Sequence, residues 1–314
     1  MYKILITFIT ALSANYVFAQ NIKIFNHTNS VLPDNEISRV IIDKDKVWIG
    51  TKGIFVYDGK AISPYNNPAV NSHKLDLLFK DKKGSIWFSY NYKNYRLACF
   101  DGKSWKLFSS NTNGITINDV HCATEDGNGK LYFGSIQGIV TYNGKTWERF
   151  SLPKESIYQY TIRSIAVNPN GDIAIGLNSG LFLYHNKQFK LLNSDNSELQ
   201  LDVVMAVKYA PDGSLYIGYN GGLGKGGFSI LKNDRWTHFN TSNSKLPDQT
   251  VRGFEFAEND TWLATNSGLI KLHNKQWSLK KFTSSRWEAI LGMAVNKDGT
   301  MLIAEPEGFI SFKE

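Results

Sequence analysis

Residues 120–150 read VHCATEDGNGKLYFGSIQGIVTYNGKTWERF. An apolar-rich segment, Val120 to Glu125, runs into Asp126-Gly127-Asn128-Gly129, and a second, Leu131 to Gly134, follows at once. A short loop to Gly138 leads to Ile139 to Tyr142, then Asn143-Gly144-Lys145, then Trp147 to Phe150. Asn-Gly and Asp-Gly pairs readily take the positive backbone angles of tight hairpins. The stretch therefore predicts a meander of four antiparallel strands.

The unit recurs along the chain. Its second strand reappears as Val47-Trp48-Ile49-Gly50, Ile86-Trp87-Phe88-Ser89, Leu131-Tyr132-Phe133-Gly134, Ile173-Ala174-Ile175-Gly176, Leu215-Tyr216-Ile217-Gly218, Thr261-Trp262-Leu263-Ala264 and Met301-Leu302-Ile303-Ala304. These copies begin 39, 45, 42, 42, 46 and 40 positions apart, and a period of about 42 suits one four-stranded blade of a β-propeller. The later turn recurs as Asp58-Gly59-Lys60, Asp101-Gly102-Lys103, His185-Asn186-Lys187, Lys232-Asn233-Asp234 and His273-Asn274-Lys275. Aromatic residues mark the outer strand in Trp105 to Phe108, Trp147 to Phe150 and Trp236 to Phe239, with Phe189 and Trp277 in equivalent places. Seven of the eight tryptophans occupy such columns, where they are expected to pack between blades, and Trp287 alone lies outside them. After the first twenty residues no window keeps an apolar stripe at helical period. The expected fold is all-β, a seven-bladed β-propeller of four-stranded antiparallel blades.

The seventh repeat lacks one strand, because Gly308 to Phe312 supplies its third and the chain stops at Glu314. The missing strand is expected at the other end: Asn21 to Asp34 matches Trp236 to Asp248, which begins with an outer strand. The N-terminal strand should complete the last blade and so remove exposed sheet edges. Residues 20–314 then form one propeller, since propellers grow by adding blades.

Residues 1–19 read as a secretory signal peptide: Lys3, an apolar stretch from Ile4 to Leu12, and Val17-Phe18-Ala19 before Gln20. The stretch is too short for a stable membrane span, and a periplasmic or secreted location is expected. Loss of Lys3 with the leader changes 35 basic residues to 34 against 28 acidic ones. The lysines are spread through turns rather than clustered, which argues against nucleic-acid binding. The two cysteines, Cys99 and Cys122, fall in apolar strands. An exported compartment permits a disulfide, but in such strands free cysteine packs as a small hydrophobe.

Motifs for metal, nucleophilic or phosphate chemistry are absent: no His-Glu-x-x-His, Cys-x-x-Cys, Gly-x-Ser-x-Gly or phosphate loop occurs. The sequence thus names no cofactor, no metal and no catalytic residue. The acidic turns Asp81 to Gly84, Asp126 to Gly129, Asn170-Gly171-Asp172 and Asp298-Gly299 lack the spaced oxygen ligands of a calcium loop and read as hairpin turns. Of the six histidines, His185 and His273 fall in turns, His27 and His238 in outer-strand segments, and His73 before an inner strand, while His121 alone lies within one.

A propeller binds through one mouth, lined by loops entering the inner strands and loops joining second to third strands. Two of the latter are long: residues 89–96, with Tyr90, Tyr92, Tyr95 and Arg96, and the glycine-rich 219–227, with Tyr219 and Asn220, read as a mobile flap. Approaches to inner strands add His121, Tyr160, Arg163, Arg252 and Trp287. Aromatic faces stack on sugar rings, and Arg and Asn supply directional hydrogen bonds, so these residues form the expected binding site for a glycan or protein ligand. The enzymatic alternative, a propeller lactonase or lyase, would have Asp76, His121 and Glu288 near the mouth. A scaffold role in an envelope assembly is a third reading.

The run Asn-x-Val/Ile, Asp-x-x-Gly, apolar-Trp-apolar-Gly-Thr and Gly-apolar-apolar-x-Tyr, best seen in Asn35 to Tyr57 and Asn118 to Tyr142, resembles the two-component-regulator propeller repeat of bacteria. The resemblance covers essentially the whole chain after the leader. It implies kinship with periplasmic sensor domains of hybrid histidine kinases, which detect glycans. No immunoglobulin-like module, transmembrane segment, kinase or DNA-binding region accompanies the repeats, so what the resemblance implies here is a free-standing recognition propeller.

Overall fold

A computed structural model describes residues 21–37, 39–65, 75–92, 95–112, 114–117, 119–135, 137–153, 161–222, 225–282 and 289–313, with backbone alone for 21, 75–78 and 90–92. Seven four-stranded antiparallel sheets form the chain, with one small two-stranded hairpin, Asn111–Thr112 with Ile115–Thr116, between the second and third. The innermost strands, blades one to seven, are Arg39–Asp43, Leu75–Lys80, Val120–Glu125, Ile162–Val167, Val204–Tyr209, Val251–Ala257 and Gly292–Val295. Each touches the next, and the last touches the first, which closes the ring. The fold is a seven-bladed β-propeller.

The second strands explain why the period is legible. All residues of Leu131–Ser135, Ile173–Leu177 and Met301–Glu305 are buried, because each middle strand is covered on both faces by adjacent blades. Phe88, Phe133, Phe228 and Phe309 have no exposed surface, and burial of such a side chain contributes about 2–3 kcal/mol. Trp87 stacks on Phe108 at 5.3 Å and meets Tyr142 of the next blade at 5.8 Å, as its column requires. Its indole Nε1 donates to Asp81 at 2.9 Å, while Asp81 also accepts the Ser85 backbone N–H at 2.7 Å. Asp126 likewise accepts the N–H groups of Asn128 and Lys130 at 2.8 and 2.9 Å. These acidic turns therefore use their carboxylates to hold their own hairpins.

The turns between third and fourth strands come in two chemistries. Gly59, Gly102 and Gly144 take positive φ in the Asp-Gly and Asn-Gly copies. In the glycine-free copies two successive residues do so: Asn186 and Lys187, Asn233 and Asp234, Asn274 and Lys275, the backbone of a type I′ hairpin. His185 and His273, preceding two of these turns, bond through Nδ1 to Asp172 and Asp260, each at 2.5 Å.

Blade seven is assembled from both termini. Asn21–Phe25 pairs antiparallel with Gly308–Lys313, from Asn21 opposite Lys313 to Phe25 opposite Phe309. Phe25 stacks on Phe309 at 6.0 Å and meets Tyr57 of blade one at 5.2 Å. Gly308 sits at φ 142°, and a Cβ there would stand 2.2 Å from the Phe25 carbonyl oxygen. Backbone strain of this kind costs about 1–3 kcal/mol, and the clash would also push the N-terminal strand away. Gly308→Ala is expected to lower stability in urea more than Gly59→Ala, whose Cβ meets nothing within 4 Å and which should cost about 1 kcal/mol. Faster amide exchange in residues 21–25 of the Gly308 variant checks the location of the damage.

Candidate functional site

The ladder slips at the mouth end of five inner strands: between Leu75 and Leu78 in blade two and, with a single residue passed over in each, between Val120 and Cys122, Ile162 and Ser164, Val204 and Ala206, and Val251 and Gly253. A bulge inserts an extra residue and re-aims its side chain. In the latter four the inserted residues are His121, Arg163, Met205 and Arg252. The last three line a cavity of about 340 Å³ on the ring axis, to which every blade contributes.

Arg163 and Arg252 are held alike. The Arg163 Nε donates to Asn178 Oδ1 at 2.6 Å, and the Arg252 Nε donates to Asn266 Oδ1 at 2.6 Å. The two asparagines hold equivalent places, each following the residue that pairs at the start of its inner strand: Leu177 opposite Ile162, and Thr265 opposite Val251. A guanidinium fixed through Nε keeps both Nη groups, a planar fork of donors, for another partner. Burial holds the Arg252 guanidinium below its ordinary value; the Asp248 charge raises it and the neighbouring Arg163 charge lowers it further. The cavity's own carboxylate, Glu255, is engaged by Lys208 at 2.6 Å. Among the described residues no acid forms an ion pair with Arg163 or Arg252.

Arg39 also lines the cavity. It pairs with Gly50 in blade one, the place taken by Cys122, Ser164, Ala206, Gly253 and Gly292 in other blades. Burial holds its guanidinium below the ordinary value. Burial also pushes the Cys122 thiol up to about 12, against the pull of the Arg39 charge. Cys99 is likewise raised to about 12 by burial, and both cysteines are free.

The residues named from the sequence separate into groups. Arg163 and Arg252 meet at the axis; His121 is exposed on its bulge, and Asn220 is exposed where its blade carries the counterpart of Asn178 and Asn266. The strands continue into the segment 89–96 through Tyr92 and from Tyr95, which pair with each other. Tyr95 lines an outer groove with Lys106, Phe108 and Trp147, away from the axis, and Arg96 donates from Nη1 to the Tyr95 carbonyl at 2.9 Å. Tyr160, Trp287 and Glu288 lie outside the described residues, as do the side chains of Asp76, Tyr90 and Tyr92.

Tyr219 requires a correction: it is fully buried, and its hydroxyl donates to Ser229 Oγ at 2.7 Å. Ser229 in turn bonds His238 Nδ1 at 2.8 Å. Burial pushes the Tyr219 phenol up to about 12. The signal was present in the repeat, because Tyr219 follows Gly218 as Thr51 follows Gly50, in a column whose residues turn inward. Gly221, Gly226 and Gly227 of the glycine-rich segment are also seated against backbone rather than open. Gly227 takes φ 84°, donates to the Gln249 carbonyl at 2.6 Å, and leaves so little room that a Cβ would lie 2.0 Å from the Phe239 carbonyl oxygen. Arg39, missed in the sequence, was visible as the charged member of a column that holds small residues in blades three to seven.

No family model matches the chain, and no curated protein matches it. Solved structures share its fold. An extracellular domain assigned to a hybrid two-component system of B. thetaiotaomicron superposes with a TM-score of 0.78 at 18% identity, over 93% of this chain and 41% of that one. This chain thus spans about two fifths of that domain. Virginiamycin B lyase from Staphylococcus aureus gives 0.69 at 14% identity, over 93% and 98% of the two chains. YCF48 bound to D1 peptide gives 0.65 at 16% identity, over 93% and 97%. These likenesses establish the propeller. Among the described residues no helix is long and apolar enough to cross a membrane.

Tyr219→Phe is expected to cost about 1 kcal/mol of stability through the lost hydrogen bond while leaving ligand capture at the mouth intact. Urea unfolding alongside a binding titration checks both halves.

Proposed function

We propose that this chain is an exported, non-enzymatic recognition propeller that captures a glycan or protein segment at the mouth of the ring. The supporting observation is the axial cavity, where bulges aim two asparagine-anchored arginines into a space whose carboxylate is already engaged. Donors built and oriented without an ion-pair partner among the described residues suit a ligand. Residues 1–19 direct export, and the mature chain begins at Gln20, in keeping with the extracellular domain that shares the fold.

A glycan fits the mouth better than a peptide strand. Strand addition needs an accessible sheet edge, and the inner edge strands of the blades stand against one another around the axis, which leaves little room for an added strand there. Asn178, Asn220 and Asn266 form an arc of side-chain amides over blades four, five and six, and amides pair donors and acceptors as sugar hydroxyls require. The enzymatic alternative draws on the match along nearly the whole length of a lyase. It would use His121 with Asp76 and Glu288.

The test is a glycan-array, peptide-array and thermal-shift screen of the mature chain. A ligand should raise Tm in proportion to the logarithm of its concentration. Met205→Trp, which fills the cavity between the two arginines, should weaken that ligand by about tenfold or more, roughly 1.4 kcal/mol, while Tyr95→Ala leaves it unchanged. Full affinity in Met205→Trp would place binding elsewhere on the propeller. Turnover of the captured compound that His121→Ala abolishes would favour the lyase reading.

A further inference from the structure

Arg163 and Arg252 stand two blades apart, with Met205 of the intervening blade between them in the same cavity wall. Each occupies a bulge, and each has its Nε fixed by an asparagine at 2.6 Å. The two like charges repel, with the Asp248 charge offsetting part of this at Arg252, and a fold selected for stability alone would place an acid or an apolar residue here, as blade five does with Met205. An oxyanion removes the repulsion and accepts two forks of N–H donors at once. Arg39, deeper in the same cavity, adds a third positive charge to the field along the axis.

We propose that the mouth is selective for acidic saccharides, with a carboxylate or sulfate group of the sugar seated between Arg163 and Arg252. The inference rests on the mouth being the binding site and deepens it by naming the ligand class. The saccharide supplies the hydroxyls that the asparagine arc of blades four to six can bond, and its acid group supplies the charge that the arginine pair lacks.

Calorimetric titration of the mature protein tests this with four probes: a tetragalacturonate, a heparin tetrasaccharide, a neutral galactotetraose, and free sulfate with acetate. An acidic tetrasaccharide should bind at least about tenfold more tightly than the neutral one, with affinity falling as sodium chloride rises, because the attraction is a screened charge interaction. Arg163→Met and Arg252→Met should each weaken it about tenfold or more, and Arg→Lys at either site should restore only part, since lysine lacks the fork. Without ligand each Met variant should melt close to the wild type, because the repulsion removed offsets the lost Nε bond of about 1 kcal/mol. If a variant fails to fold, the acidic-to-neutral comparison and the salt dependence on the wild type still decide the matter.

Equal binding of the neutral tetrasaccharide would overturn the acid-group inference and leave the mouth reading standing. Binding of free sulfate or acetate with no preference for the saccharides would mean an adventitious ion only and would overturn it too. Capture of an acidic peptide with no saccharide bound would refute the ligand class, and full affinity in both Met variants would refute the site.

Discussion

The ladder between Asn21–Phe25 and Gly308–Lys313 is the constraint on which the rest depends. Without it the last blade would present a bare third strand, and the ring would have a free edge open to pairing with other chains. With it, each inner strand is held between two neighbours, and the seven inner strands converge on one narrow axis. The seam itself is tight. Phe25, Tyr57 and Phe309 share one aromatic cluster across blades seven and one, and the backbone approach at Gly308 admits no side chain.

Convergence on an axis is also what makes a site. The interior of each blade gap is filled by apolar columns, where a charged side chain would be costly. The mouth ends of the inner strands escape that rule, because the bulges of blades four to six turn Arg163, Met205 and Arg252 out of the ladder and towards the axis. Charges gathered there are partly buried, so they interact more strongly than the lysines scattered over the turns. The overall excess of basic residues is therefore a poor guide to recognition in this chain. The placement of Arg39, Arg163 and Arg252 is the informative part.

Most of the architecture was legible because the propeller repeats its physics. The small residue ending each second strand, the aromatic columns and the Asp-Gly or Asn-Gly turns each answer a local requirement, and blade three was readable almost to the residue: Val120–Glu125, Leu131–Ser135, Gly138–Tyr142 and Trp147–Phe150. The site was legible in part. Arg163 and Arg252 were picked out because they lie in the approaches to inner strands and offer directional donors, yet nothing in the sequence announced the bulges that aim them. Tyr219 was misplaced because a tyrosine beside a glycine-rich run looks like a loop residue, whereas its column faces inward and its hydroxyl finds Ser229. Three glycines of that run, Gly221, Gly226 and Gly227, looked like freedom and serve close backbone approach instead. Arg39 escaped notice because its neighbours in sequence, Val40, Ile41 and Ile42, mark an ordinary buried strand.

The central claim is that Arg163 and Arg252 form a preorganised oxyanion site at the ring axis. The most direct measurement is a crystal structure of residues 20–314 soaked in selenate, with the anion located by its anomalous signal. A selenate between the two guanidinium forks, with the Nε bonds to Asn178 and Asn266 preserved, is the predicted result. Selenate found only on surface lysines, with the arginines turned away from the axis, would contradict it.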